Sequence, residues 1–223
     1  MLVVGARGHA IEVLDCLQQP AGSQLFFFDD VTPDLESQLF GQFPVLRSLD
    51  EVAQLFKQDP AFVLGLGGGK LRKLLAQKMA SLGGVLTSVI APTAQIGRFE
   101  VNLGAGLNVM HHALISNATE LGEGTLVNAG AAVHHNVTVG NYCEISPGAR
   151  ILGGCHLHDL VLVGANATVL PRVVVGEGAR IGAGAVVIQD VPAGATVIGV
   201  PGRVVRQSAT AEQSKVNLPA RLF

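Results

Sequence analysis

Every sixth residue from Leu103 to Val187 is aliphatic: Leu103, Val109, Ile115, Leu121, Val127, Val133, Val139, Ile145, Ile151, Leu157, Val163, Val169, Val175, Ile181 and Val187. Two positions before these, the chain favours small or β-branched residues, among them Thr119, Thr125, Ala131, Ala149, Ala167, Ala179 and Ala185. A strict period of six matches neither the 3.6-residue repeat of an α-helix nor the two-residue alternation of a strand. It matches a chain wound into a β-helix, in which short strands stack coil on coil and each points one aliphatic inward. Gly104, Gly122, Gly140, Gly164, Gly176 and Gly182 follow the inward aliphatic, and we expect them to turn the tight corners.

Composition agrees with an aliphatic core. Of 223 residues 48% are hydrophobic, yet Trp is absent and Tyr occurs once. Charged residues make up 14% and the net charge is −2, which argues against a nucleic-acid or anionic-membrane surface. No apolar run reaches the roughly 18 residues of a membrane span, and the start lacks the pattern of a signal peptide. The cysteines Cys16, Cys143 and Cys155 have no metal-type spacing, which fits reduced thiols in a cytoplasmic protein.

Residues 1–90 follow another rhythm. "MLVVG", "QLFFFDD" and "AFVLGLG" have the character of buried strands. Apolar spacing predicts helices over about 9–19, around Leu49, Val52 and Phe56, and over about 70–82. Alternation of this kind predicts a Rossmann-like parallel sheet. "GARGHA", Gly5 to Ala10, falls at a strand-to-helix turn, where open parallel sheets bind ligands. With Asp29 and Asp30 ending the second strand it approaches a dinucleotide fingerprint. Arg7 holds the place of the second glycine and Ala10 that of the third, so a full dinucleotide site is not expected. Arg7 and the helix N-terminus suit a nucleoside diphosphate, although a plain tight turn uses the same glycines. A second cluster, Gly65 to Lys70, ends the third strand on the same edge. Past Arg206 all periodicity is lost, and residues 207–223 are expected to form a tail or an arm.

The order of "GARGHA", "FFFDD", the hexapeptide coils, "HHN" at His134 to Asn136 and "VIGVPGRVVR" resembles the sugar acetyltransferases of the NeuD/PglD type. The resemblance covers residues 1 to about 206 and implies a left-handed parallel β-helix of hexapeptide repeats over 91–206, after a nucleotide-sugar-binding domain over 1–90. It implies acetyl-CoA as co-substrate without a metal, a homotrimer with sites between neighbouring coils, and a nucleotide-linked amino-dideoxy sugar as acceptor. A sialic-acid-type hydroxyl acceptor stays open on the same scaffold.

Of the seven histidines, the resemblance maps the general base onto His135, with His134 as the alternative. A neutral imidazole suits removal of a proton from an attacking amine. The family has Glu or Asp next; here Asn136 orients the ring without a negative charge. Counting about 18 residues per coil places His135 over Asn117 and beneath Gly153, whose backbone N–H suits an oxyanion. The resemblance also implies substrate contacts at Arg7, Gly8, His9, Asp29, Asp30 and Gly67. It places acetyl-CoA contacts at Glu144 (His in the family), Gly153, Ala165 and Ala183. Arg203 and Arg206 either meet the CoA phosphates or are solvated charges. His111, His112, His156 and His158 have the look of corner and edge residues. Two rivals from other classes stay open: a metal-dependent hydratase like the gamma carbonic anhydrases, which needs about three converging ligands, and a non-catalytic trimeric scaffold.

Overall fold

The computed structural model describes residues 1–17 and 24–206. The expected tail at 207–223 and the last two residues of the helix predicted to 19 lie outside them. The first unit runs β1 (Leu2–Val4), α1 (His9–Cys16), β2 (Phe26–Phe28), β3 (Gln38–Leu39), β4 (Phe43–Leu46), α2 (Leu49–Phe56), β5 (Ala61–Leu64), α3 (Gly69–Ser81) and β6 (Val85–Leu86). The sheet order is β3-β4-β2-β1-β5-β6. All its pairings are parallel except β3 with β4. The short β3–β4 hairpin carries no alternation in sequence and was not expected. α2 begins in a capping box, Ser48 with Glu51, which satisfies two orphan N–H groups of its first turn.

From Val89 onward the chain winds into a triangular parallel β-helix with three faces. The first face stacks Val89–Ile90, Asn108–Val109, Leu126–Val127, Glu144–Ile145, Leu162–Val163, Arg180–Ile181 and Thr196–Ile198. The second stacks Gln95–Ile96, Leu114–Ile115, Ala132–Val133, Arg150–Ile151, Thr168–Val169 and Val186–Val187. The third stacks Val101–Leu103, Thr119–Leu121, Thr138–Val139, His156–Leu157 and Val174–Val175. Leu126 pairs with Glu144, and Ala132 with Arg150, so each coil takes 18 residues. Arg203–Arg206 folds back antiparallel on Thr196–Ile198 and closes the end.

The six-residue aliphatics from Val109 to Val187 are buried and line the axis. The small residues two positions earlier are fully buried as well, because the interior narrows toward each corner. The Thr125 hydroxyl repays its burial by donating to the Gly140 carbonyl (2.9 Å) and accepting from the Cys143 N–H (3.0 Å). Leu103 is 36% exposed, since it belongs to the first coil and nothing stacks beneath it.

The corner glycines need a correction. Left-handed backbone recurs every six residues at Glu100, Gly106, His112, Ala118, Gly124, Gly130, Asn136, Tyr142, Gly148, Gly154, Leu160, Asn166, Arg172, Gly178 and Gly184. Gly104, Gly122, Gly140, Gly164, Gly176 and Gly182 stand two residues before these corners and lack that conformation. They are glycine because the next coil lies on them: a Cβ at Gly122 would stand 2.5 Å from the Gly140 carbonyl carbon.

Two of the left-handed corners carry large side chains that pack into a hydrophobic cluster, and both face the first unit. Tyr142 and Leu160 pack with Leu2, Val4, Phe62, Leu64 and Met79 on the α2/α3 side of the sheet. Met110 and Leu126 join the α1 side with Val3, Ala10 and Val13. The coil thus completes both cores of the sheet, and that apolar burial offsets the cost of the left-handed corners.

Candidate functional site

β1 and β5 are neighbours, and the sheet order turns back at them, so their following loops meet at the carboxyl edge. Gly5, at φ 110°, lies so close to the second loop that a Cβ would stand 2.8 Å from the Gly65 carbonyl oxygen. Arg7 and Gly8 are exposed at the start of α1, and Gly8 caps the helix without a side chain. The His9 Nδ1 meets Glu12 Oε2 at 3.1 Å, while its Nε2 is buried without a hydrogen-bond partner among the described residues. Burial lowers the His9 pKa below its ordinary value against the opposing pull of Glu12, which keeps the ring neutral near pH 7.

Asp29 is buried at the end of β2, and both its oxygens are engaged locally. Oδ1 accepts from the Val31 and Thr32 N–H groups (3.0 and 2.8 Å) and Oδ2 from the Thr32 hydroxyl (2.8 Å). Burial opposes its ionisation, but these bonds and nearby Arg47 outweigh that and hold its pKa below the usual carboxylate value. Asp30 faces Lys78 at 3.5 Å.

The β5–α3 loop is held from the coil. Arg72, fully buried, donates to the carbonyls of Leu64 (3.2 Å), Leu66 (2.8 Å) and Gly124 (2.9 Å) and to Asn108 Oδ1 (2.9 Å). Asn108, also fully buried, donates to the Leu64 carbonyl at 2.8 Å. Burial lowers the Arg72 pKa to about 10, against the pull of Glu144 and Tyr142, so it stays charged. Glu144 Oε2 accepts from the Gly68 N–H at 2.7 Å. Gly67 lies against the same carboxylate, 3.3 Å from Oε2 were it to carry a Cβ.

His135 and Asn136 occupy the corner between the second and third faces. The Asn136 N–H donates to the Asn117 carbonyl (3.3 Å) and the Gly154 N–H to the His135 carbonyl (3.0 Å), so the stacking expected from coil counting holds. Asn136 takes the left-handed φ of 59°, which Asn tolerates better than most residues. Its Oδ1 meets His135 Nδ1 at 2.9 Å. With the amide oxygen there the ring carries its proton on Nδ1, and Nε2 keeps a free lone pair. The ring lies over Gly153, where a Cβ would be 2.6 Å from Nε2.

Comparison with known proteins follows this division. Residues 1–79 match the PglD N-terminal domain, and residues 118–153 and 154–189 each match the bacterial transferase hexapeptide family (six repeats). A solved perosamine N-acetyltransferase from Caulobacter crescentus, in complex with CoA and GDP-perosamine, is 28% identical. It superposes with a TM-score of 0.82 over 92% of this chain and 96% of its own. The acetyltransferase domain of PglB from Neisseria gonorrhoeae is 28% identical, with a TM-score of 0.80 over 92% and 98%. The chain is a hexapeptide-repeat protein of the NeuD/PglD type. Its β-helix is left-handed, as in that type. Among curated sequences, a 2,3,4,5-tetrahydropyridine-2,6-dicarboxylate N-acetyltransferase from Staphylococcus aureus is 48% identical over 58 residues. That match spans 26% of this chain and only 24% of the relative.

In this NeuD/PglD-type chain the expected site residues fall into three groups. Arg7, Gly8, His9, Asp29, Asp30 and Gly67 share the carboxyl edge of the sheet, and Glu144 on the first face reaches the loop at Gly67 and Gly68. His135, Asn136 and Gly153 form the corner opposite that face. Ala165 and Ala183 stack at the corner between the first and second faces, where the Gly184 N–H donates to the Ala165 carbonyl at 2.8 Å. One chain therefore brings the first group together and keeps it across the coil from His135.

The other histidines have local partners. His111 Nδ1 meets the Thr93 hydroxyl at 2.7 Å, and His156 stacks edge-on against His158. His112 takes a left-handed corner. Arg203 bonds the Gly202 carbonyl at 3.0 Å, and both Arg203 and Arg206 are exposed. No cluster of three or more His, Cys, Asp or Glu side chains able to hold a metal occurs among the described residues, and no described helix is long and apolar enough to cross a membrane. The three cysteines are buried free thiols. Sequence reasoning missed Arg72 and Asn108. In "KLRKLL" the arginine is one cation among three, and its burial was signalled only by its place on the helix face that packs inward with Ala76 and Met79.

Proposed function

We propose that this protein is an acetyl-CoA-dependent N-acetyltransferase acting on a nucleotide-linked amino-dideoxy sugar for surface glycan synthesis in the cytoplasm. The observation that carries the proposal is the His135 ring, fixed through Nδ1 by Asn136 with Nε2 free over Gly153. The Caulobacter relative supports the substrate class, and two of its structures, each with one histidine replaced, hold both CoA and GDP-perosamine.

In this reading residues 1–90 hold the nucleotide sugar at Arg7, Gly8, His9, Asp29, Asp30 and Gly67, and residues 91–206 hold acetyl-CoA, with Gly153, Ala165 and Ala183 along it. The sugar amine attacks the thioester carbonyl carbon while His135 Nε2 takes its proton. The tetrahedral oxyanion is met by the Gly153 N–H, whose stacked neighbour Pro171 offers no side-chain acceptor to compete for it. The carbon–sulfur bond then breaks, and the imidazolium returns its proton to the departing CoA thiolate. Because His135 lies across the coil from the sugar loops of its own chain, the site is completed by a neighbouring copy in a homotrimer.

The test is thiol release from acetyl-CoA with UDP-, GDP- and dTDP-linked 4-amino-4,6-dideoxyhexoses and with sialic acid. Turnover of an amino sugar, lost in His135→Ala while CoA binding is kept, is the expected result. Turnover of sialic acid alone, or activity surviving in His135→Ala, overturns the proposal.

A further inference from the structure

We infer that Glu144 is a positioning residue for the nucleotide-sugar loop rather than a contact to the acetyl donor. The inference rests on the function proposed above. Its carboxylate crosses from the first face of the coil to the β5–α3 loop and accepts from the Gly68 N–H at 2.7 Å. Gly67, the expected sugar-nucleotide contact, lies directly against it and has no side chain to keep it away.

The loop is clamped on its other side by Arg72, which fixes the Leu64 and Leu66 carbonyls and also bonds Gly124 of the coil. Every hydrogen-bond acceptor of Arg72 is neutral, and Glu144 is the carboxylate whose charge supports it most. Two coil-linked charges of opposite sign therefore hold one short loop between them. The Glu144 charge also counters that of a cation buried from water, which is costly without compensation. The N-terminus of α3 favours the same negative charge. Gly68 carries a left-handed φ of 81° and no side chain of its own to cap the helix. Glu144 supplies that cap from the coil. The loop is thus set in place before a ligand arrives, and removing the clamp makes binding bear the cost of ordering it.

Calorimetric titration of the full chain separates this role from a donor contact. Wild type, Glu144→Ala and Glu144→Gln are titrated with CoA and with the GDP-, UDP- and dTDP-linked 4-amino-4,6-dideoxyhexoses. Glu144→Ala is expected to weaken the best-bound nucleotide sugar by about tenfold, the loss of one charge-assisted hydrogen bond. Glu144→Gln, whose amide oxygen still accepts from Gly68 but without the charge, falls between wild type and Glu144→Ala. CoA affinity is the same in all three. Weakened CoA with unchanged nucleotide-sugar affinity overturns the inference. So does equal weakening of both ligands at an unchanged melting temperature. Should wild type bind no nucleotide sugar, the proposed function falls, and hydrogen exchange at the Gly68 amide decides the positioning role. Exchange about tenfold faster in Glu144→Ala supports it, and an unchanged rate overturns it.

Discussion

Gly153→Ala places a methyl group under the proposed base. An added Cβ would stand 2.5 Å from His135 Cε1 and 2.6 Å from Nε2, whereas ordinary contact begins near 3.4 Å. The ring must retreat by about 1 Å or rotate, and rotation breaks its bond to Asn136. A displacement of that size costs on the order of 100-fold in rate, or about 2.7 kcal/mol of barrier. The fold has no reason to suffer. Gly153 lies outside the left-handed region, so alanine there is unstrained and restricts the unfolded chain. The melting temperature is expected to hold or rise slightly while kcat falls about 100-fold in the thiol-release assay. Gly154→Ala is the matched control: at φ 73° it is strained and costs about 1 kcal/mol of stability, but leaves the ring alone. Should Gly153→Ala keep kcat within about threefold of wild type, His135 is not the base in the geometry described here.

Three other outcomes are expected. Arg72→Ala strands the Leu66 and Gly124 carbonyls and Asn108 Oδ1, costing about 3–5 kcal/mol and lowering the melting temperature by about 10 °C in a thermal scan. Asn136→Asp keeps the shape but places a carboxylate on Nδ1, so the acidic limb of the pH–rate profile should rise by about one unit. His9 has a folded pKa below its ordinary 6.5, so the unfolded chain binds more protons than the native one as pH falls. Denaturant melts should therefore show stability present above pH 6.5 and declining below it until the folded pKa is passed, with a flatter profile in His9→Gln.

The β-helix was legible because a period of six is imposed by geometry on every coil, and each inward position from Val109 to Val187 shows it. The stacking of His135 on Asn117 and Gly153 followed from counting alone. The corner residues were misplaced by two positions, since glycine marks close coil stacking as readily as left-handed backbone; only the structure separates Gly122 from Gly124. Arg72 and Asn108 were missed because polar residues at inward positions interrupt the apolar pattern, and only the spacing of Arg72 with Ala76 and Met79 marked the arginine. The separation of His135 from the loops after β1 and β5 was invisible for another reason: it depends on which face of the coil the first unit packs against. That choice is made by Tyr142, Leu160, Met110 and Leu126, each unremarkable in a repeat.

A site shared between protomers is tested most directly by complementation. His135→Ala and Arg7→Glu chains, each inactive alone, are co-expressed with different tags and co-purified. Every mixed trimer, whichever chain is in the majority, would carry intact loops facing an intact His135 at about a third of its sites. Recovery of about a third of wild-type turnover is the predicted result. Mixed trimers without activity would contradict the account, because the loops and the base would then have to come from one chain.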